Sequence, residues 1–207
     1  MMHATDFAAL LGINLALCAG CLRLLCRGGH ARAWTRWTTA FLFMLLWLPV
    51  GAAQLPVLAY VRGISSDPSI TLLVLACLGL RQHLFGYPGL EQREYKALLA
   101  VLAVAALFLY PLALGWGDWD AYRPGWGSFG MLLALLVLSL LCWVQGLRLL
   151  PLAVALALLA WTAGLLESAN LWDYLIDPWL AIAALMYGVY GALLGMQKWL
   201  RRSGRNR

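Results

Sequence analysis

Residues 167–207, ESANLWDYLIDPWLAIAALMYGVYGALLGMQKWLRRSGRNR, hold an acidic and aromatic segment, then an uncharged apolar run from Pro178 to Gln197, then a basic tail. At about 1.5 Å per residue such a run reaches across the roughly 30 Å hydrocarbon core of a bilayer. The same alternation repeats toward the N-terminus, with basic and acidic clusters separated by apolar runs. The reading is an all-α integral membrane protein, a polytopic bundle of about seven transmembrane helices in a single domain. The spans fall at about 7–26, 38–61, 68–84, 96–114, 128–145, 149–166 and 178–200, with 201–207 as a basic cytoplasmic tail.

Composition agrees. Of 207 residues 63% are hydrophobic and 12% charged, too little polar surface to cover a soluble core of this size. A net charge of +6 raises nucleic acid as a partner, but the basic residues sit in short loops beside apolar runs, where they oppose anionic lipid, so nucleic acid is set aside. Only two of the fifteen basic residues are Lys, a usage typical of GC-rich bacteria, and the expected location is the bacterial inner membrane. Met1 to Asp6 carry no Lys or Arg and no cleavable signal is read.

Sidedness follows from the basic residues. With the N-terminus outside and the C-terminus cytoplasmic, the inner side receives Arg23, Arg27, Arg32, Arg36, Arg81, Arg93, Lys96, Arg148, Lys198, Arg201, Arg202, Arg205 and Arg207. Arg62 and Arg123 alone remain outside. Acids distribute in the opposite sense, with Glu91 and Glu94 inside against Asp6, Asp67, Asp118, Asp120, Glu167, Asp173 and Asp177 outside. Most of the tryptophans fall near span ends, as interfacial rings do, whereas Trp47 and Trp161 lie within spans and are read as packing residues.

Within the spans, Pro49 and Pro56 predict a kinked or broken second helix, or a re-entrant one. Asp67-Pro68 and Asp177-Pro178 read as capped starts of the third and last spans. Small residues Ala8, Gly12, Ala16 and Gly20 recur every fourth position on the first span, and Ala184, Gly188, Gly191 and Gly195 form a stripe on the last. Such stripes allow close helix approach. Asn14 and Gln54 read as polar ties between helices. The Cys18-x-x-Cys21 spacing, with Cys26 beyond it, lies in a spanning helix that itself carries no histidine, so the thiols read as inert and no metal or cofactor is expected.

The outer face gathers the groups able to do chemistry. Asp118, Asp120 and Glu167 are the candidate acids, bases or cation ligands, while Arg62, Arg123, Trp119, Tyr122, Asn170, Trp172 and Asp173 are candidates for a headgroup site. The plain alternative is that these groups cap helices, pair and keep the loops wet. Glu167, at the boundary of the sixth span, needs a partner, and Arg62 or Arg123 are its natural ones. No Gly-x-Ser-x-Gly elbow, His-Glu-x-x-His pair or phosphate-binding loop is present. The leading expectation is a noncatalytic subunit or scaffold. It would dock an envelope lipid or glycan-assembly partner through its small-residue faces and outer loops, with membrane lipids and one membrane protein as partners. The alternative is an enzyme acting on a lipid-linked phosphate or saccharide at the outer leaflet, and a small transporter comes third.

Overall fold

The structure, a computed structural model, describes residues 4–25 and 33–205. In chain order these form α1 (Ala4–Leu25), α2 (Ala33–Leu45), strands β1 (Pro49–Val50) and β2 (Leu55–Pro56), α3 (Val57–Ser65), α4 (Ile70–Phe85) and α5 (Gln92–Ala113). A 3-10 turn (Arg123–Trp126), α6 (Phe129–Val144), α7 (Leu149–Thr162), α8 (Leu171–Leu175) and α9 (Pro178–Arg205) complete the fold. His3, Cys26, Arg27, His30, Arg32 and Arg207 lie outside the described residues.

Among the described residues, three helices are long and apolar enough to cross a membrane, over Thr5–Leu25, Gln92–Ala113 and Pro178–Gln197. The apolar helices α4, α6 and α7 are shorter, with 16, 16 and 14 residues, and reach about 21–24 Å. The span expected over 149–166 stops at Thr162. Gly164 takes φ +62°, the Leu165 amide donates to Ala160 O at 3.1 Å and the Gly164 amide to Trp161 O at 3.1 Å. This is a glycine-terminated helix end that satisfies the last carbonyls. Gly146, at φ +77°, ends α6 in the same way through Leu147 to Cys142 O.

The second run is broken, not merely kinked. After α2, Pro49 and Pro56 face each other in a short antiparallel hairpin, and neither proline there interrupts a helical ladder. The Leu58 amide then bonds to Leu46 O at 3.4 Å, so α3 resumes at the end of α2. Gln54, expected to tie helices together, is instead exposed in the hairpin turn at φ +49° and bonds to Gly51 O. Asn14 does tie helices: fully buried, it donates to Phe43 O at 3.0 Å.

Helix starts differ in one place. Ser69, not Asp67, caps α4 by accepting from the Leu72 amide, because the Asp67 carboxylate is engaged by Arg62. Asp177 caps α9 as expected, accepting from the Leu180 amide at 2.8 Å. Its other oxygen accepts from the Ser69 amide and hydroxyl at 3.0 and 2.6 Å, which fastens the two helix starts together. Helix α9 runs through Arg201 and Arg202 to Arg205, where a tail was expected.

Packing distinguishes the two small-residue stripes. Helix α1 lies along α4, and a Cβ at Gly12 would come within 3.0 Å of Pro68 Cγ, so the first half of that stripe is used inside the chain. Helix α9 packs on α5 through its first turns, and Ala184 is buried. From Met186 to Gln197 every residue is exposed, and a Cβ at Gly188, Gly191 or Gly195 would meet nothing within 4 Å among the described residues. The largest core cluster joins α5 to α9, including Leu102, Leu150, Ala157 and Tyr174, and a smaller one seats Leu58 against Leu10 and Ile13.

The bundle has two chemically different ends. Asp6, Arg62, Asp67, Glu167 and Asp177 meet at one, hereafter the acidic end. At the other, the basic end, Arg23 reaches Tyr95, Arg36 reaches Leu84 O and Arg93 reaches Gln145 O, while Glu94 accepts from the Leu149 amide. Trp116, Trp119, Trp126 and Trp179 are exposed toward the first end and Trp34, Trp37 and Trp143 toward the second, while Trp47 and Trp161 are partly buried.

Candidate functional site at the acidic end

Arg62 organises this end. It projects from α3, a helix of nine residues whose position is set by the break before it. Nε donates to Asp67 Oδ1 at 2.7 Å, Nη1 to Asp6 Oδ1 at 2.7 Å and Nη2 to Glu167 Oε2 at 3.0 Å. The Glu167 amide also donates to Asp67 Oδ2 at 3.3 Å. One guanidinium thus ties the start of α1, the α3–α4 connection and the segment after α7. The planar fork of arginine suits several carboxylates at once, which a lysine could not match. The Arg62 side chain is 19% exposed and that of Glu167 81%, so the Glu167 pair is the most screened of the three.

A second network latches the two aromatic loops. Tyr122 Oη and Ser168 Oγ both donate to the Asp173 carboxylate. Asn170, fully buried, donates from Nδ2 to Tyr122 O at 3.0 Å and caps α8 by accepting from the Trp172 amide. Trp172 Nε1 donates to Ala121 O at 3.1 Å. Gly125 is required here, since a Cβ on it would stand 1.8 Å from Asn170 Oδ1. Burial, and then the bond to Asp173, pushes the Tyr122 hydroxyl pKa above its ordinary value.

A cleft of about 920 Å³ joins the Arg62 cluster to Tyr122, Ser168, Asp173 and Asp177, with apolar walls from Leu10, Leu55, Leu109 and Ile176. Of the expected site residues, Arg62, Glu167, Tyr122 and Asp173 line it. Asn170 and Trp172 stand behind it and hold the loops. Asp120 caps its own turn, accepting from the Tyr122 and Arg123 amides, and shares with Trp119 and Arg123 a separate shallow depression. Asp118 is exposed in the same loop. Sequence reasoning did not select Asp6, Ser168 or Tyr110 for this site. The available signal for Asp6 was a carboxylate just outside an apolar run on the face that holds Arg62.

Chemically the cleft is acidic, for five carboxylates line it and its single guanidinium is already bonded to three of them. Such a surface disfavours a phosphate and favours structure or a cationic group. Among the described residues no group of three His, Cys, Asp or Glu is arranged to hold a metal ion. The architecture so far defines a helical protein with three described helices long and apolar enough to cross a membrane and a cross-linked acidic end. Compared with family models, curated proteins and solved structures, the chain matches none.

Proposed function

We propose that the protein is a noncatalytic subunit of the bacterial inner membrane that docks a second membrane protein through the free half of α9. In this reading the chain crosses the bilayer about seven times, with α2 and α3 together as one interrupted crossing, the N-terminus outside and the C-terminus cytoplasmic. The short helices α4, α6 and α7 fit within a locally thinned or protein-lined region.

The observation that carries the reading is the open stretch Gly188 to Gln197, where a Cβ on either member of the Gly191-x-x-x-Gly195 pair would meet nothing within 4 Å among the described residues. Backbones approach closely at such pairs, and the gain comes from van der Waals packing that lipid tails reproduce poorly. The acidic-end network supports the same reading. Its polar groups are bonded to one another and hold the loops 114–128 and 163–177 as one surface facing an envelope lipid or glycan-assembly partner. Enzymatic action on a lipid-linked phosphate is less well supported, because every nitrogen of Arg62 already bonds a carboxylate and Asp120 is engaged in its turn.

Co-purification from native membranes tests the proposal. A partner retained by the wild type and lost on Gly191→Leu or Gly195→Leu, at equal protein level, supports it. A chain that emerges alone after mild extraction, or one whose partner survives both substitutions, contradicts it.

A further inference from the structure

Between α1, α4, α5 and α9 runs a groove of about 610 Å³, distinct from the acidic cleft. Small side chains carve it: Ala16, Ala19 and Gly20 on α1, Ala76 and Gly79 on α4, and Ala183 on α9. A Cβ at Gly20 or Gly79 would meet nothing within 4 Å, so the small residues here leave room and do not bring helices together. From Leu72 to His83, both in the lining, α4 rises about 17 Å. That is enough to cover the roughly 15 Å of one leaflet's hydrocarbon.

The groove is apolar toward Leu72 and Trp179 and polar toward the basic end, where Arg23, Gln82, His83, Gln92 and Tyr95 line it. No Asp or Glu does. Arg23 donates one N–H to Tyr95 Oη at 3.0 Å and lies 5.2 Å from that ring's centroid, and among the described residues it has no carboxylate partner. Arg62, bonded to three carboxylates, is its opposite. His83 is 7% exposed, and among the described residues its Nδ1 has no hydrogen-bond partner. A buried polar atom left so is costly, and the exposed Arg23 guanidinium at the same end of the groove suits an anion.

We infer that the groove binds one acyl chain of an anionic phospholipid, with the headgroup phosphate on Arg23 and within reach of Gln82 and Gln92. Length, apolar walls and charge all match that one class of ligand, since basic recesses at helix ends take anionic headgroups while adjacent apolar channels take tails. The inference needs the membrane reading but not the docking role of α9.

The test uses the full chain in mild detergent, supplied with phosphatidylglycerol or phosphatidylcholine, with bound lipid counted by native mass spectrometry. The expected result is preferential retention of phosphatidylglycerol, lowered about fivefold by Arg23→Gln and restored by Arg23→Lys. Gly79→Leu, which puts a side chain into the open groove, lowers retention of both lipids; Gly20→Leu does the same from the opposite wall if the first variant fails to accumulate. Equal retention of the two lipids by the wild type overturns the proposal. So does retention unchanged by the groove-filling variant, and so does displacement of the lipid by inorganic phosphate alone, which would mark a bare anion site.

Discussion

The amide of Leu58 meets the carbonyl of Leu46 at 3.4 Å, so the helix interrupted by the Pro49–Pro56 hairpin continues on the far side of it. Arg62 is thereby carried to the end where Asp6 and Glu167 wait. The hairpin itself rests on Gly51, at φ +71°, and on Tyr60, whose hydroxyl donates to Val50 O at 3.1 Å.

Gly51→Ala is therefore expected to destabilise the protein by at least about 1–2 kcal/mol, from the left-handed backbone alone. Its Cβ would also stand 2.9 Å from Tyr60 Oη. Thermal unfolding in detergent checks this, with Gly63→Ala as a control, since Gly63 has open space and lies in a helix where alanine is preferred. A midpoint unchanged by Gly51→Ala would contradict the hairpin geometry.

The Arg62 cluster predicts a ranking. Arg62→Gln leaves Asp6, Asp67 and Glu167 facing one another without a cation, and an expected loss of about 2–3 kcal/mol follows from breaking a partly buried ion cluster at its centre. Glu167→Gln removes the most exposed partner and costs under about 1 kcal/mol. Equal losses for the two substitutions, read from thermal midpoints, would remove the hub role of Arg62.

Much of this was legible in the chain itself. Apolar runs gave helices long and apolar enough to cross a membrane, and the position of Glu167 at a span boundary called for Arg62 or Arg123 as its partner, of which Arg62 is the one it meets. Pro49 and Pro56 announced a break, though not that the chain leaves the helix into a hairpin and returns, because that outcome depends on the Leu46–Leu58 contact. Helix lengths were overestimated at α7 since hydropathy continues through Leu165 and Leu166, while Gly164 ends the helix by its conformation. The cap of α4 was misassigned for a tertiary reason: Asp67 is drawn away by Arg62 and Ser69 takes its place. The separation of Asp120 and Arg123 from Glu167 and Arg62 had no signal in one-dimensional spacing, as it arises from how Asn170 and Trp172 fasten the loop from behind.

That fastening makes Asn170 a critical side chain. Asn170→Ala would remove the cap of α8 and one of the two donors to Tyr122 O, the Gly125 amide remaining, an expected cost of about 1–2 kcal/mol. Limited proteolysis should then cut within 114–128, where the wild type resists. Resistance equal to the wild type would show that the loop is held by other means.

Alkaline stability isolates Tyr122. Its protonated form is favoured in the folded protein by burial and by the bond to Asp173, so its folded pKa lies above the ordinary 10.0. The contribution is fully present below pH 10 and declines as pH rises toward the folded value, because the unfolded state then loses its proton first. The stability difference between wild type and Tyr122→Phe should be constant from about pH 7 to 9 and shrink above about pH 10. A difference that grows with pH in that range would reverse the sign.

The most direct test of the whole account is the side on which the acidic end lies. In a cysteine-free background, Asp120→Cys and Arg148→Cys are exposed in turn to a membrane-impermeant maleimide on cells with a permeable outer membrane. The account predicts labelling at residue 120 in intact cells and at residue 148 only after lysis. Labelling of residue 148 in intact cells with residue 120 protected would contradict it.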